Sequence, residues 1–224
     1  MRPFQLGIFV PMWNGWMRGE TSDCIFEGLA WCLANPLKGL VVTELGKRAH
    51  HPCAEAREEF SARLRCSRPL NDPGGLDAIL MFDADFALES TLPGRVWIEE
   101  FWRAKRNHAD NAILFAVGAM SFGKPGEDVK NFWTNDSGKI VRCGAPAIWV
   151  PSEAYEAVVR KYPRPYHLPG SGDDVAFTTR AVECGCELVP VENIKSRHWP
   201  EWREALEFVW PPERGEENET IEAN

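Results

Sequence analysis

The chain predicts an α/β fold, a mixed but mostly parallel sheet flanked by helices, and three observations predict it. Four short apolar runs, at residues 5–11, 39–44, 77–83 and 112–117, have the length and composition of strands buried on both faces. Helix-period segments lie between them. The strand–helix–strand spacing suits crossover connections, which place parallel strands side by side and helices on the sheet faces.

The elements follow in order. Gln5-Leu6-Gly7-Ile8-Phe9-Val10-Pro11 reads as a buried strand closed by proline, and Met12-Trp13-Asn14-Gly15-Trp16 as a loop. Thr21, Ser22 or Asp23 is placed to cap a helix running to about Ala34, with Phe26, Leu29, Ala30 and Leu33 on its apolar face. Asn35-Pro36 stops it. The second strand, 39–44, ends in Glu44. A charged helix over 53–65 carries Phe60 and Leu64 inward, and Asn71-Asp72-Pro73-Gly74-Gly75 is a turn. After the third strand come a helix from about Leu92 to Asn107 and the fourth strand, 112–117. Residues 121–139, rich in Gly, Lys, Asp and Asn, read as a substrate-facing loop, and 140–150 as a strand bent at Gly144-Ala145-Pro146. Ser152 caps a helix to about Lys161. Gly170-Ser171-Gly172 is a joint, Asp173 opens a helix ended by Gly185, and 186–191 is the last strand. One domain is expected over 1–210, with an acidic, proline-led tail over 211–224 that has nothing to bury.

Composition narrows the function. The formal charge of −8 argues against sequence-independent nucleic-acid binding, which draws on basic surface. Two basic clusters, Arg57/Arg63/Arg65/Arg68 and Arg103/Lys105/Arg106, read as solvated helix faces. No apolar run reaches the length of a membrane span, and Met1-Arg2-Pro3-Phe4 does not open a leader with a cleavage site, so a cytoplasmic protein is expected. Seven irregularly spaced cysteines suggest reduced, buried thiols. Ten tryptophans are unusual. Packing is their default role, although Trp13, Trp16, Trp133, Trp199 and Trp202 lie beside glycine, proline or loop residues, where an indole face suits a sugar or a base.

Three signals carry chemistry. Phe82-Asp83-Ala84-Asp85-Phe86 follows directly on a buried strand, and open parallel sheets bind ligands beyond the carboxyl ends of their strands. Two carboxylates that close repel unless a cation neutralises them, and a hard divalent ion against a diphosphate does so. Second, Gly170-Ser171-Gly172-Asp173-Asp174 pairs acids at a helix start. Cap and dipole roles compete there with general-base chemistry. Third, His198 follows the last strand, and a neutral imidazole is a metal ligand.

Together these residues resemble the inverting glycosyltransferases of the GT-A fold, family 2. The matching series is Val10-Pro11-Met12-Trp13-Asn14, Glu44, Asp83-Ala84-Asp85, Asp173-Asp174 with Arg180 and Gly185, and His198, spanning about residues 5–200. The resemblance implies a Rossmann-like GT-A domain, a Mn2+ or Mg2+ ion, and a nucleoside-diphosphate sugar, UDP-sugar above all, as donor. Position by position, it implies that Asp85 ligates the metal, that Asp83 contacts the donor ribose or the metal through water, and that His198 completes the ligands. Asp174, or failing it Asp173, is the base. Pro11, Trp13, Asn14 and Glu44 hold the nucleotide, and Arg197 (or Lys195) adds charge to the diphosphate. Two positions depart from the family pattern: Ala176 stands where an acid is usual, and the second strand closes Thr43-Glu44-Leu45-Gly46. The acceptor is a hydroxyl of a glycan, a protein side chain or a hydroxymethylated DNA base. The competing readings are a sugar-1-phosphate nucleotidyltransferase, which calls for a glycine-rich basic loop after the first strand, and a non-catalytic nucleotide-sugar-binding module.

Overall fold

A computed structural model describes residues 2–12, 17–49, 53–67, 74–84, 86–120, 129–144 and 146–198. The expected 211–224 tail lies outside them, as do the loop tryptophans Trp13, Trp16, Trp199 and Trp202. The strands are β1 (Phe4–Met12), β2 (Leu40–Ala49), β3 (Ala78–Phe82), β4 (Phe86–Ser90), β5 (Ile113–Met120), β6 (Val129–Lys130), β7 (Phe132–Thr134), β8 (Ile140–Cys143), β9 (Ala147–Pro151) and β10 (Leu188–His198). The helices are α1 (Gly19–Ala34), α2 (Cys53–Ser61), α3 (Trp97–Asn107), α4 (Ser152–Val159) and α5 (Asp173–Glu183).

The main sheet runs β2-β1-β3-β9-β5-β10-β4, with β6 added to β5. β1 is parallel to both β2 and β3, and β5 is parallel to β10. β9 lies antiparallel between β3 and β5, and β4 runs antiparallel to β10. β1, β2, β3, β5 and β10 therefore share one direction, and the α/β class read from the sequence is the one observed.

Both sheet faces are covered, which explains why the strand sequences are apolar without alternation. Leu6, Ile8, Leu80, Phe82, Leu114 and Trp149 join the core beneath α1 and α3. Phe9, Ile79, Met81, Phe115 and Ile148 join the core beneath α2, α4 and α5. Trp97 and Trp149 are fully buried, so these indoles serve packing. Trp97 needs a glycine opposite it: a Cβ on Gly28 would lie 2.5 Å from its ring. Phe60 stacks on Phe9 with ring centroids 4.3 Å apart, and Gly46 leaves room for it, since a Cβ there would lie 2.4 Å from that ring.

Several local expectations are corrected. α1 starts at Gly19 with Arg18 as its N-cap, and no side chain caps it. Thr21 instead donates its hydroxyl to the Ala84 carbonyl, 3.0 Å away. The buried face of α1 is Thr21, Cys24, Ile25, Gly28 and Cys32, whereas Phe26 and Leu33 are exposed. The apolar periodicity matches two faces, and tertiary packing chooses the one with small residues, where Trp97 fits. β4 is an addition to the expected strands, because Phe86-Ala87-Leu88-Glu89-Ser90 is short and edge-placed. α3 begins at Trp97, five residues later than expected, because β4 and a turn take up the preceding chain. The bent strand over 140–150 is two strands, of which β8 pairs with β7 outside the main sheet and β9 enters it. Residues 129–139 are therefore strand and turn rather than open loop. α4 ends at Val159, and the Ser152 side chain accepts from the Cys66 amide rather than capping the helix. Arg57, expected on a solvated face, is buried.

All seven cysteines are free thiols, and Cys24, Cys32, Cys143 and Cys186 are buried. The Cys24 thiol ties α1 to β4, donating to the Leu88 carbonyl (3.3 Å) and accepting from the Leu88 amide (3.2 Å). Burial pushes Cys24 up to about 12 and Cys32 and Cys186 up to about 11. A thiol harder to ionise when folded than when unfolded stabilises the fold fully below its unfolded value, and that stability is lost as pH rises through the folded value. The urea midpoint is therefore expected to hold steady from about pH 7 to the ordinary thiol value of 9.0 and to fall between there and about 11. Circular dichroism titrations at stepped pH would show it. A midpoint flat to about pH 11 contradicts the buried-thiol account.

Candidate active site

The site grows from one guanidinium. α2 begins after β2 and lies against β1, with Phe60 as its anchor and Ala56 and Arg57 one turn earlier on the buried side. Arg57 is only 3% exposed, and a buried charge is tolerated only when paired. Two of its nitrogens donate hydrogen bonds, and the third, Nε, is held by charge alone. Nη2 donates to Asp83 Oδ1 at 3.0 Å, Nε pairs with Asp173 Oδ2 at 2.6 Å, and Nη1 reaches Met81 Sδ at 3.6 Å. Burial alone would lower the guanidinium's proton affinity, but Asp173, Asp83 and Asp174 outweigh it and push the value upward. Arg57 is a fixed cation.

Asp83 follows β3 directly at its carboxyl end. Its amide donates to the Pro146 carbonyl at 2.8 Å, and the next residue's carbonyl, on Ala84, accepts from the Arg18 amide at 3.0 Å. β9 and the start of α1 thus pin this turn from both sides. Asp173 and Asp174 open α5 behind Gly172. Asp173 turns to Arg57, while Asp174 Oδ1 accepts from the Val175 amide at 2.7 Å. Glycines flank the Asp174 carboxylate: a Cβ on Gly144 or on Gly172 would lie 3.1 Å from one of its oxygens. Gly144 is held by its amide donating to the Asn131 carbonyl (2.8 Å), and Asn131 in turn donates to the Ala116 carbonyl (2.9 Å). Thr178, fully buried on α5, exchanges hydrogen bonds with the Cys143 amide and carbonyl at 3.1 and 2.8 Å. The end of β8 is thereby locked beneath the acid pair.

The structure therefore brings together Asp83, Asp173 and Asp174, ninety residues apart in sequence, and adds Arg57, which charge patterning alone assigns to the surface. Three carboxylates thus gather around one guanidinium. Cys53, at the start of α2, feels the same group: burial first, then Asp173, push its thiol up to about 11, while Arg57 opposes.

Of the other expected residues, Glu44 falls elsewhere. Pro11 is buried near the end of β1. Glu44 does not close β2, which runs on to Ala49. It pairs with Gly7, in the middle of β1, just past a register shift, and Arg63 engages it at 3.4 Å. That places Glu44 four residues short of Pro11 along the β1 ladder, roughly 13 Å away. Trp13, Asn14 and Asp85 lie outside the described residues, as do the side chains of Arg197 and His198. The backbone of His198 is described: it ends β10 and pairs with Phe86, the residue after Asp85.

The donor chemistry of the acids suits a hard divalent ion. Among the described residues no trio of His, Cys, Asp and Glu side chains stands close enough to hold one. Two of the three ligands expected from the sequence, Asp85 and His198, have side chains beyond that set. Among the described residues, too, no helix is long and apolar enough to cross a membrane.

No family model and no curated protein matches this chain. Among solved structures, the 4-diphosphocytidyl-2C-methyl-D-erythritol synthase of Anaerococcus prevotii is similar at 10% identity, covering 84% of this chain and 89% of that one, with a TM-score of 0.40. A likeness at that level carries no argument, and the functional reading rests on the residues themselves.

Replacing Arg57 by Met leaves Asp83 and Asp173 facing each other without the cation. A stability loss of about 3 kcal/mol is expected, the low end for a broken buried pair because both acids keep some solvent contact. Urea unfolding of the variant measures it, and a loss within error of zero would remove Arg57 from its organising role.

Proposed function

We propose that this protein is a metal-dependent inverting glycosyltransferase that moves a sugar from a nucleoside-diphosphate donor, UDP-sugar foremost, to an acceptor hydroxyl. One observation carries the reading. The first acid of Asp83-Ala84-Asp85 and the acid pair 173–174 converge on Arg57 at the carboxyl edge of the sheet, where α/β enzymes bind nucleotides.

In this reading Asp174 is the base. It is half-buried, leaves the Arg57 Nε to Asp173, and stands over Gly144, where a substrate meets little side-chain bulk. It accepts the proton of the acceptor hydroxyl as that oxygen attacks the anomeric carbon. The bond from that carbon to the donor diphosphate breaks on the opposite side, so the configuration inverts. Asp173 is a positioning residue: bound to Arg57, it fixes the first turn of α5 and hence the aim of Asp174. Asp83, held by the same guanidinium, faces the donor ribose.

Asp85, Asp83 and His198 are the residues proposed to hold Mn2+ or Mg2+. The β4–β10 ladder supports this, since His198 pairs with the residue following Asp85. When bound, such an ion supplies Lewis-acid neutralisation of the leaving diphosphate. Pro11, with Trp13 and Asn14 after it, is proposed to border the nucleotide, and Arg197 to add charge near the diphosphate. Glu44, mid-strand and engaged by Arg63, is left out of the donor site. The acceptor class stays open among a glycan, a protein side chain and a hydroxymethylated DNA base, and the protein is proposed to act in the cytoplasm.

Two measurements test the reading. Asp174→Asn is expected to bind UDP with Mn2+ as the parent does and to lose about 100-fold or more in slow UDP-sugar hydrolysis or transfer, the usual scale of a lost general base. Full activity in that variant would move the base elsewhere. For the metal, calorimetric titration of UDP with Mn2+ into Asp85→Ala is expected to show affinity reduced at least about tenfold, and unchanged affinity would count against Asp85 as a ligand.

A further inference from the structure

A buried hydroxyl chain lies behind Arg57 and takes no part in the chemistry proposed above. Tyr166, in the connection between α4 and α5, is 2% exposed, and Ser61, the last residue of α2, is fully buried. The phenol oxygen stands 2.9 Å from Ser61 Oγ, and Ser61 Oγ donates to the Arg57 carbonyl at 2.8 Å. A serine hydroxyl carries one proton. Ser61 spends it on a carbonyl, which can only accept, so the phenol donates and Ser61 accepts. Burial pushes the phenol's ionisation upward, which keeps its proton in place. The chain therefore runs from the Tyr166 hydroxyl through Ser61 to the backbone of Arg57.

The other side of Tyr166 reaches α5. Its ring stacks on Phe177, with centroids 4.9 Å apart and planes inclined by 18°. Phe177 is itself fully buried. Ser61 follows Arg57 by four residues on α2, and Phe177 follows Asp173 by four on α5. Residues four apart share a helix face, one turn on. Arg57 and Asp173 thus join the two helices at one level, and Ser61, Tyr166 and Phe177 join them one turn further along both. Two ion pairs fasten the same connection to α2, His167 with Glu58 at 3.3 Å and Arg164 with Glu55 at 3.7 Å. They lie nearer the surface, where such pairs contribute little. The Tyr166 link is the one shielded from water.

We propose that Tyr166 is a positioning residue. Through Ser61 it fixes the backbone under Arg57, and through Phe177 it fixes α5 one turn beyond the acid pair. The guanidinium then meets Asp83 and Asp173 at a set distance, and Asp174 keeps its aim. A side chain holds a productive geometry only when the groups behind it are themselves locked, and small displacements of a reacting group are costly. The consequence for Asp174 rests on the transferase reading; the hold on Arg57 does not.

Two measurements on the full chain test this. The first follows the Arg57 Nε–H signal by nuclear magnetic resonance in isotope-labelled protein, assigned through the carbons of its own side chain, and needs no donor. In Tyr166→Phe, which keeps the ring stack, exchange of that proton with water is expected to quicken about fivefold, the scale of one lost hydrogen bond. Ser61→Ala is expected to act in the same direction, and the double variant to go no further than the worse single one, because both break one chain. The second takes UDP-glucose, UDP-galactose or UDP-N-acetylglucosamine, whichever the parent hydrolyses fastest with Mn2+. Turnover of Tyr166→Phe is expected to fall about tenfold, while calorimetric affinity for UDP with Mn2+ stays within about twofold. An unchanged Arg57 signal in both single variants overturns the proposal. So does a loss of UDP affinity as large as the loss of turnover, which marks a general loosening, or full turnover in Tyr166→Phe where Asp174→Asn has lost it. If Asp174→Asn is itself fully active, the base assignment fails, and the Arg57 signal still decides whether Tyr166 holds the cation.

Discussion

A single buried cation sets the geometry on which the functional reading depends. Arg57 sits where water barely reaches, so its charge has to be met by protein groups. The two carboxylates that meet it come from the end of β3 and the start of α5. The three elements cannot drift apart without exposing an unpaired charge to apolar surroundings. The same constraint aims Asp174, because Asp173 fixes the helical turn that both acids share. A buried pair of this kind is weak evidence for net stability, but it is a strong determinant of position.

Around that cation the fold works by fitting large side chains to glycines. Phe60 holds α2 against β1 only because Gly46 leaves it space, and Trp97 holds α3 against α1 only because Gly28 does. The loop under Asp174 follows the same logic, with Gly144 and Gly172 flanking its carboxylate. Thr178 and Asn131 then carry the backbone hydrogen bonds that keep Gly144 in place. Aromatic bulk, glycine gaps and a few buried polar links thereby transmit the order of the sheet to its carboxyl edge. The opposite end of β10 is built differently. There the β4 ladder stops at Thr91, and Pro190 turns away from β5, on a side where no described strand pairs.

Much of this is legible in the residues, and the failures have specific causes. The runs containing Ile8-Phe9-Val10, Ile79-Leu80-Met81-Phe82 and Ile113-Leu114-Phe115 announce buried strands because both sheet faces are covered. Asp173 and Gly185 mark the ends of α5 correctly, since a positive φ at the helix end favours glycine. The periodicity of α1 points to the wrong face because Phe26 and Leu33 exceed Cys24 and Gly28 in hydrophobicity, while packing against Trp97 rewards smallness. Glu44 looks like a strand end because Gly46, Lys47 and Arg48 read as loop. In fact Gly46 makes room for Phe60 and lets β2 continue. β4 is an edge strand too short to show a period.

The sequence by itself determined the α/β class, the direction of the main strands and the identity of the acids at 83, 173 and 174, because strand length, apolar runs and turn chemistry are local properties. Only the tertiary structure decided that Arg57 is interior, that it joins Asp83 to Asp173, and that β9 enters the sheet against the grain. Those outcomes depend on which distant groups share a low-dielectric space, and the free energy of a buried charge is set by partners far away in the chain, which no local pattern encodes.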